Sequence, residues 1–251
     1  MEEKIKESQW RYERKFIIPN YSVPEVALSL LLHPLNFREI YWQRRVNSLY
    51  LDSEGMDFAF ENYDGSPEKT KARIRWYGDN VFEIKKPTLE IKAKQGSIGK
   101  KVSMDFPEFE NINLAGGMLR EGLENGGFSR ERLEKAGFVR EEYQKVVRDS
   151  SLPYEYKVKL GLLNPFIITS YERRYFQTFD RRFRATLDFN LSFYQPENML
   201  HFVPCDINQG LVLEIKYETP HEEMAQQVLH RLPFRLGKYS KYMAGLGELW
   251  A

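Results

Sequence analysis

Charged side chains recur at alternate positions in several short segments of this sequence. Arg73 and Arg75 lie two positions apart, and the same spacing joins Glu214 to Lys216. Alternate residues of a β-strand point to the same face, so each pair would set its charges side by side. The spacing also occurs in Glu13 with Lys15, in Glu90 with Lys92 and Lys94, and in Arg184 with Thr186 and Asp188.

The residues between these charges are apolar, as Ile74 and Trp76 illustrate, and they must pack against something. If the sheet closes with helices outside it, the charged faces turn inward together. An interior crowded with Arg and Lys is unstable unless it also holds carboxylates, anions and water. Arg recognises phosphate oxygens in a planar, bidentate way. The pattern therefore predicts a phosphate-binding interior; the alternative is that these are the solvent-exposed faces of half-buried strands.

A carboxylate in a phosphate-binding interior has a second possible use. Mg²⁺ or Mn²⁺ is typically held by one or two carboxylates together with phosphate oxygens. Glu214 is the main candidate metal ligand and Glu13 the second. The alternative for Glu214 is a salt bridge that balances the charge of a neighbouring Arg.

Composition and motifs exclude several other kinds of site. The chain has 37 Lys and Arg against 36 Asp and Glu, so no net field draws it to nucleic acid, and no nucleic-acid partner is expected. The single cysteine, Cys205, excludes a disulfide or a Cys-based zinc site within the chain. No Gly-x-x-x-x-Gly-Lys-Ser/Thr loop is present, so a phosphate site would depend on side chains. Without an apolar spanning run or a secretory leader, we expect no transmembrane segment and a cytoplasmic location.

The elements that would position these residues are roughly eight strands in two groups, with helices between and after them. Period-two patterns and turn residues delimit the strands, and period-3.6 patterns delimit the helices. The expected strands are 11–18, 46–51, 71–77, 81–85 with 89–94, 100–104, 166–176, 183–191 and 211–218, and the expected helices are 25–32, 57–62 and 222–232. The pattern predicts an α+β fold: a closed antiparallel eight-stranded β-barrel, or tunnel, with peripheral helices. We expect a single domain over residues 1–251, with a helical excursion at about 111–150.

Eight motifs follow one another in a specific order along the chain. They are Tyr-Glu-Arg-Lys-Phe at 12–16, Asn-Ser-Leu-Tyr-Leu-Asp-Ser at 47–53, Lys-Ala-Arg-Ile-Arg-Trp-Tyr-Gly at 71–78, Leu-Glu-Ile-Lys at 89–92, Tyr-Glu-Arg-Arg-Tyr-Phe at 171–176, Arg-Ala-Thr-Leu-Asp at 184–188, Val-Leu-Glu-Ile-Lys-Tyr at 212–217 and Lys-Tyr-Ser-Lys-Tyr at 238–242. As a set they resemble the VTC domain, the polyphosphate polymerase branch of the triphosphate tunnel metalloenzyme (CYTH-like) superfamily.

The resemblance implies a role for particular residues. Glu214 would be the metal carboxylate, with Glu13 beside it, and Lys238 and Lys241 would lie near the transferred phosphate and act in catalysis with Arg73 and Arg75. The first strand departs from the superfamily's Glu-x-Glu-x-Lys, because Arg11 stands at its first position. The implied phosphate contacts are Lys15, Arg73, Arg75, Lys92, Lys100, Arg173, Arg184 and Lys216.

The resemblance also implies partners and a reaction. The tunnel would bind ATP and inorganic polyphosphate and use Mn²⁺ or Mg²⁺ for phosphoryl transfer, with polyphosphate synthesis from ATP as the main hypothesis. The alternatives are a triphosphate or polyphosphate hydrolase and a polyphosphate-binding module without turnover. Relatives carry phosphate-sensing and membrane domains that are not expected here, so a membrane-protein partner stays unknown.

Overall fold

The computed structural model describes residues 5–81, 83–107, 140–196, 202–204 and 210–250. Within them, all strands join one sheet, and every pairing is antiparallel. The strands are β1 (Lys6–Glu7), β2 (Arg11–Ile18), β3 (Arg38–Asp52), β4 (Glu68–Tyr77), β5 (Thr88–Gln95), β6 (Ile98–Asp105), β7 (Asn164–Gln177), β8 (Phe183–Tyr194), β9 (Phe202–Pro204), β10 (Leu211–Glu218) and β11 (Leu236–Gly237).

The strand β2 closes the sheet into a ring. It pairs with β10 along its whole length, and its first residues, Arg11 and Tyr12, also pair with Gly99 and Ile98 of β6. The order β2, β6, β5, β4, β3, β7, β8, β10 thus returns to β2. The prediction of eight antiparallel strands arranged in a closed ring, in an α+β fold, is confirmed.

One predicted strand, 81–85 with 89–94, is wrong in its first part only. Residues 83–85 carry no strand, and β5 begins only at Thr88. Lys86 adopts a positive φ of 47°, a left-handed conformation that an extended strand cannot contain. Val81 and Ile84 are buried in the core instead of extending the sheet.

Helices cover the apolar outer face of the ring on two sides. Among the described residues the helices are α1 (Val23–Leu31), α2 (Asp57–Tyr63), α3 (Arg140–Asp149), α4 (Tyr154–Gly161), α5 (Glu222–His230) and α6 (Lys241–Trp250). Residues of α3 and α4 join a core cluster with Ile74 and Trp76 of β4, and residues of α1 and α5 join a second cluster with Leu213 and Ile215 of β10. These are the apolar residues that alternate with the charged ones, so the charged faces point inward.

A third cluster lies on the inward face and is completed by α6. Tyr50 of β3 alternates with Leu49 and Leu51, which belong to the outer core. Its ring stacks on Tyr242 of α6 at 5.2 Å between centroids, and the Tyr242 hydroxyl donates to Asp52 at 2.7 Å. The inner face of β3 therefore anchors the C-terminal helix to the ring.

Two expectations extend beyond the described residues. The single domain over 1–251 stays a prediction. Of the helical excursion expected at about 111–150, residues 111–139 lie outside the described residues, and its last part is α3. No helix in the described part of the chain has both the length and the apolar character needed to cross a bilayer.

The contact between α6 and the ring gives a stability prediction. A Cβ on Gly245 would collide with Ile167 Cδ1 and lie 2.7 Å from Phe193 Cδ1, both in the buried third cluster. We expect Gly245→Ala to lower the free energy of unfolding by about 1–3 kcal/mol through overpacking. Urea denaturation of the purified variants measures this change.

Gly247, two residues further along α6, provides the matched control. A Cβ there meets nothing within 4 Å, so Gly247→Ala should raise the free energy of unfolding by roughly 0.5–1 kcal/mol. Equal effects of the two substitutions would contradict the close packing of α6 on the ring.

Candidate active site

The inward faces of the strands enclose a cavity of about 800 Å³. Its wall is completed by the segment from Leu236 to Met243, which carries β11 and the start of α6. Among the described residues, fourteen Lys and Arg side chains line it, against three carboxylates. The cavity holds these residues predicted from the sequence: Glu13, Lys15, Arg73, Arg75, Lys92, Arg173, Glu214, Lys216, Lys238 and Lys241.

Two predicted phosphate contacts lie elsewhere. Lys100 shares the outward face of β6 with Val102 and Met104 and pairs with Glu7. Its neighbour Lys101 faces the cavity instead, and the apolar Val102 and Met104, at even spacing from Lys100, were the sequence signal for this orientation. Arg184 shares the inward face of β8 with Thr186, but it is exposed and does not line the cavity.

Glu90 organises the cations of one wall. Its carboxylate lies 2.6 Å from Arg73 Nη2, 2.6 Å from Lys101 Nζ and 3.4 Å from Arg75 Nη1. Burial opposes its charge, but Arg75, Arg73 and Lys101 outweigh burial and hold the pKa of Glu90 well below its usual value. Arg73 also donates to the Tyr50 hydroxyl at 3.2 Å. Glu90 therefore fixes two guanidinium groups at the cavity surface.

Asp188 does the same on the opposite wall. Arg173 forms a bidentate pair with it, with Nε–Oδ1 2.5 Å and Nη2–Oδ2 2.7 Å, and Lys241 Nζ lies 2.5 Å from Oδ2. Asp188 is fully buried, and although burial raises its pKa, Arg173 and Lys241 lower it to about 2. The carboxylate stays ionised and positions both cations, one of them from α6.

Glu13 and Glu214 form a carboxyl pair on neighbouring strands. Their carboxyl groups lie close enough to influence each other's ionisation, Lys92 pairs with Glu13, and Lys216 Nζ lies 3.4 Å from Glu214. Burial favours protonation of Glu214, yet Lys216, Lys15 and Lys92 hold its pKa well below the usual value. Two buried carboxylates that both stay ionised side by side require cations to balance them.

The donor set around this pair fits a hard divalent cation. Thr186 is opposite Glu214 in the β8–β10 register, and its hydroxyl is buried without a hydrogen-bond partner among the described residues. Carboxylate and hydroxyl oxygens suit Mg²⁺ or Mn²⁺. No group of three or more His, Cys, Asp or Glu able to hold a metal occurs in the described part of the chain. Glu13 and Glu214 could thus hold a metal only together with oxygens from another source, such as phosphate.

Several cavity lysines form no ion pair with a carboxylate among the described residues. Lys15 donates to the Tyr239 carbonyl at 2.7 Å, and Lys71 donates to the Ser240 hydroxyl at 2.8 Å. Burial, together with the neighbouring cations, lowers the pKa of both lysines, that of Lys71 strongly. Lys71 was not among the site residues predicted from the sequence, although it lies two positions before Arg73 and so continues the alternate spacing of Arg73 and Arg75. The cavity lysines that form no ion pair within the described residues are Lys15, Lys69, Lys71, Lys94 and Lys238.

The chain matches one described protein family over nearly its whole length. The family model described as VTC domain matches residues 10–249. No curated protein matches the chain.

Solved structures also match the chain at low sequence identity. The PH1819 protein from Pyrococcus horikoshii OT3 has 12% identity and a TM-score of 0.48, covering 94% of this chain and 98% of that one. HpAC1 from Hippeastrum, described as having a dominant triphosphatase activity, has 15% identity and a TM-score of 0.44, covering 94% and 95%.

The buried pair of Arg173 and Asp188 gives a testable contrast with its neighbour. We expect Asp188→Asn to lower the free energy of unfolding by about 3–5 kcal/mol, because it leaves two cations buried without their acid. Arg174, the next residue, forms an equally bidentate pair with Glu39 at the surface, at 2.8 and 2.7 Å. Glu39→Gln should cost less than about 1 kcal/mol. Chemical denaturation compares the two, and similar losses would contradict the assigned role of burial.

The titration of Lys216 predicts how anion binding depends on pH. Burial lowers the pKa of Lys216 to about 8, although Glu214 and Glu13 oppose the shift. The side chain is cationic below that pH and loses its charge above it, so affinity for tripolyphosphate should fall as the pH rises from about 7 to 9.

An Arg at this position keeps its charge over the whole range. Calorimetric titrations of the wild type and Lys216→Arg in the same buffers should therefore show a shallower fall in the variant. The ionisation of tripolyphosphate is common to both, so superimposable pH profiles would show that Lys216 does not titrate in this range.

Proposed function

The chain belongs to the VTC domain family, and from this we propose that it is a metal-dependent polyphosphate polymerase whose ring of strands is a tunnel for phosphate chains. The terminal phosphate of ATP is transferred in the cavity to the end of a growing inorganic polyphosphate. The observation that carries the proposal is the charge of the cavity: fourteen cationic side chains against three carboxylates among the described residues. Such an excess is costly in the free protein, and a bound polyanion would relieve the cost.

The arginines supply fixed positive charge for the reacting phosphates. Glu90 holds Arg73 and Arg75, and Asp188 holds Arg173, so these guanidinium groups are oriented before a substrate arrives. Phosphoryl transfer needs little covalent chemistry from the protein and depends on positioning and electrostatic stabilisation. The arginines held by Glu90 and by Asp188 therefore act as preorganised charge stabilisers on opposite walls of the cavity.

The lysines supply charge that a phosphate chain can engage along its length. Among the described residues, Lys15 and Lys71 form no ion pair and donate hydrogen bonds to neutral groups, the Tyr239 carbonyl and the Ser240 hydroxyl, so they can also contact phosphate oxygens. Lys241 begins α6 and Lys238 precedes it, and both line the cavity. We assign this segment to the transferred phosphate.

The carboxyl pair is the proposed metal site. Glu214 and Glu13 would hold Mn²⁺ or Mg²⁺ jointly with phosphate oxygens. When bound, the metal supplies Lewis-acid neutralisation of phosphate charge. Lys216 and Lys92, which pair with the two carboxylates, hold both in their ionised form.

Product analysis tests the proposal against its two alternatives. The protein is incubated with ATP and Mn²⁺ or Mg²⁺, and the products are resolved by gel and by a phosphate assay. A ladder of phosphate chains supports the polymerase. Release of orthophosphate without a ladder would make the protein a hydrolase that uses water as acceptor. Binding without any product would make it a polyphosphate-binding module.

The role of Glu214 separates an enzyme from a binder. Glu214→Gln keeps the shape of the side chain and removes its charge, so turnover should fall by about 100-fold, or ~2.7 kcal/mol in the barrier. Binding of tripolyphosphate without metal should hold or strengthen, because a repelling charge is gone. Turnover is measured at saturating Mn²⁺, and binding is measured by calorimetry.

Lys100→Ala serves as the control, because Lys100 lies on the outward face of β6 and should keep nearly full activity. A Glu214→Gln enzyme that retained turnover within a few-fold of the wild type would restrict Glu214 to charge balance.

A further inference from the structure

Three tyrosines surround Arg44 where β3, β4 and β7 meet beyond the cavity. The Arg44 guanidinium carbon lies 4.8 Å from the ring centroids of Tyr77 and Tyr175 and 5.3 Å from that of Tyr41. Tyr41 also contacts Tyr175 edge to face at 5.7 Å. Tyr41 is 58% exposed and Tyr77 is 44% exposed, so this group, the Arg44 cluster, is open to solvent.

The Arg44 cluster continues directly from the cavity wall. Tyr77 follows Arg75 by two residues on β4, and Tyr175 follows Arg173 by two residues on β7, so each tyrosine keeps the inward direction of its arginine. Arg44 is opposite Arg173 in the β3–β7 register, and Arg173 lies 5.9 Å from the Tyr175 ring. At about 3.3 Å per residue, Tyr77 stands roughly 7 Å along the strand from Arg75. A ligand whose phosphates contact Arg75 and Arg173 therefore reaches the cluster with its other end.

Arg44 forms no ion pair among the described residues. Its neighbours in the β3–β7 arm have their own acids: Arg45 pairs with Glu172, and Arg174 pairs with Glu39. Arg44 has no carboxylate partner among the described residues, and only the faces of tyrosine rings hold it. The Tyr175 hydroxyl is buried without a hydrogen-bond partner in the same part of the chain, so a ligand that satisfied it would also gain stability.

The chemistry of the cluster selects a ligand with a flat aromatic part. Tyrosine rings and a guanidinium plane are the surfaces on which nucleobases stack in proteins, and stacking accepts any base because every base has a π face. An inorganic phosphate chain has no such part and gains nothing from the rings. The neighbouring cavity, by contrast, offers cations for phosphates.

We propose that the Arg44 cluster is a stacking site for the base of a nucleoside triphosphate whose phosphates lie in the cationic cavity. The inference rests on the proposed function, because it requires phosphates to bind beside Arg75 and Arg173. It adds a specificity element: the cluster distinguishes a nucleoside triphosphate from inorganic tripolyphosphate, which the cavity alone does not.

Paired titrations with ATP and with tripolyphosphate test the site. Tyr77→Ala changes no charge, so it should weaken ATP binding about 10-fold and tripolyphosphate binding less than about 2-fold. Tyr77→Phe keeps the ring and should bind ATP as the wild type does. Arg44→Lys keeps the positive charge but lacks the planar guanidinium group, so it too should weaken the binding of ATP more than that of tripolyphosphate.

Trp42→Ala is the matched control, because Trp42 is 92% exposed on the same strand and has no ring-stacking or cation–π contact with the Arg44 cluster among the described residues. It should change neither affinity. Equal changes for ATP and tripolyphosphate in Tyr77→Ala, or an unchanged ATP affinity in both Tyr77→Ala and Arg44→Lys, would overturn the stacking site and leave the proposed function intact. A wild-type protein that binds neither ligand would overturn both.

Discussion

Charge enclosed by the ring must be compensated, and the rest of the structure follows from this constraint. A closed antiparallel ring sends alternate side chains inward, and in this chain those side chains are mainly Lys and Arg. Leaving such charges unbalanced in a partly desolvated interior would cost several kcal/mol each. Glu90 and Asp188 compensate five of these cations through ion pairs, with N–O distances of 2.5 to 3.4 Å. Burial and neighbouring cations lower the pKa of Lys15 and Lys71, which donate hydrogen bonds to neutral groups. An anionic ligand would complete their compensation.

The outer face provides the stability that this interior does not. Ile74, Trp76, Leu213 and Ile215 alternate with the inward charges and are fully buried under helices. Each such side chain contributes roughly 1.5–3 kcal/mol when buried. The helices cover the apolar outward face of the strands. Because this face supplies the buried apolar area, the inward face can be charged. Helix α6 lies against the inward face, together with part of α2, and it delivers Lys241 to Asp188.

The alternation rule explains how much of this could be predicted from the sequence. It located the strands carrying Arg73, Arg75, Glu214 and Lys216 and oriented them correctly, because their apolar neighbours fix which face is buried. It could not show which carboxylate serves which cation, because the Lys241–Asp188 pair joins residues far apart in the chain. It failed at residues 83–85, where the left-handed Lys86 interrupts the extended backbone. It also misses the Arg44 cluster, since register shifts on β3 between Glu39 and Arg44 bring Tyr41 and Arg44, three positions apart, to the same ring.

The cavity divides its cations into two kinds with different physical consequences. Arg73, Arg75 and Arg173 are held by buried carboxylates, so their positions are set in the free protein and little ordering entropy is lost when phosphate binds. Lys15 and Lys71 are raised in energy by burial and mutual repulsion, which lowers their pKa, and an incoming anion relieves this repulsion. The arginines thus provide fixed positions for phosphate oxygens. The lysines provide a favourable free energy of binding, because their repulsion is relieved when a polyanion binds. If a phosphate chain stayed in the cavity from one transfer to the next, the repulsion between the lysines would stay relieved. If every product were released, the repulsion would return after each turnover. This relief is the physical argument for our proposal that the chain extends a bound phosphate chain and does not hydrolyse and release short ones.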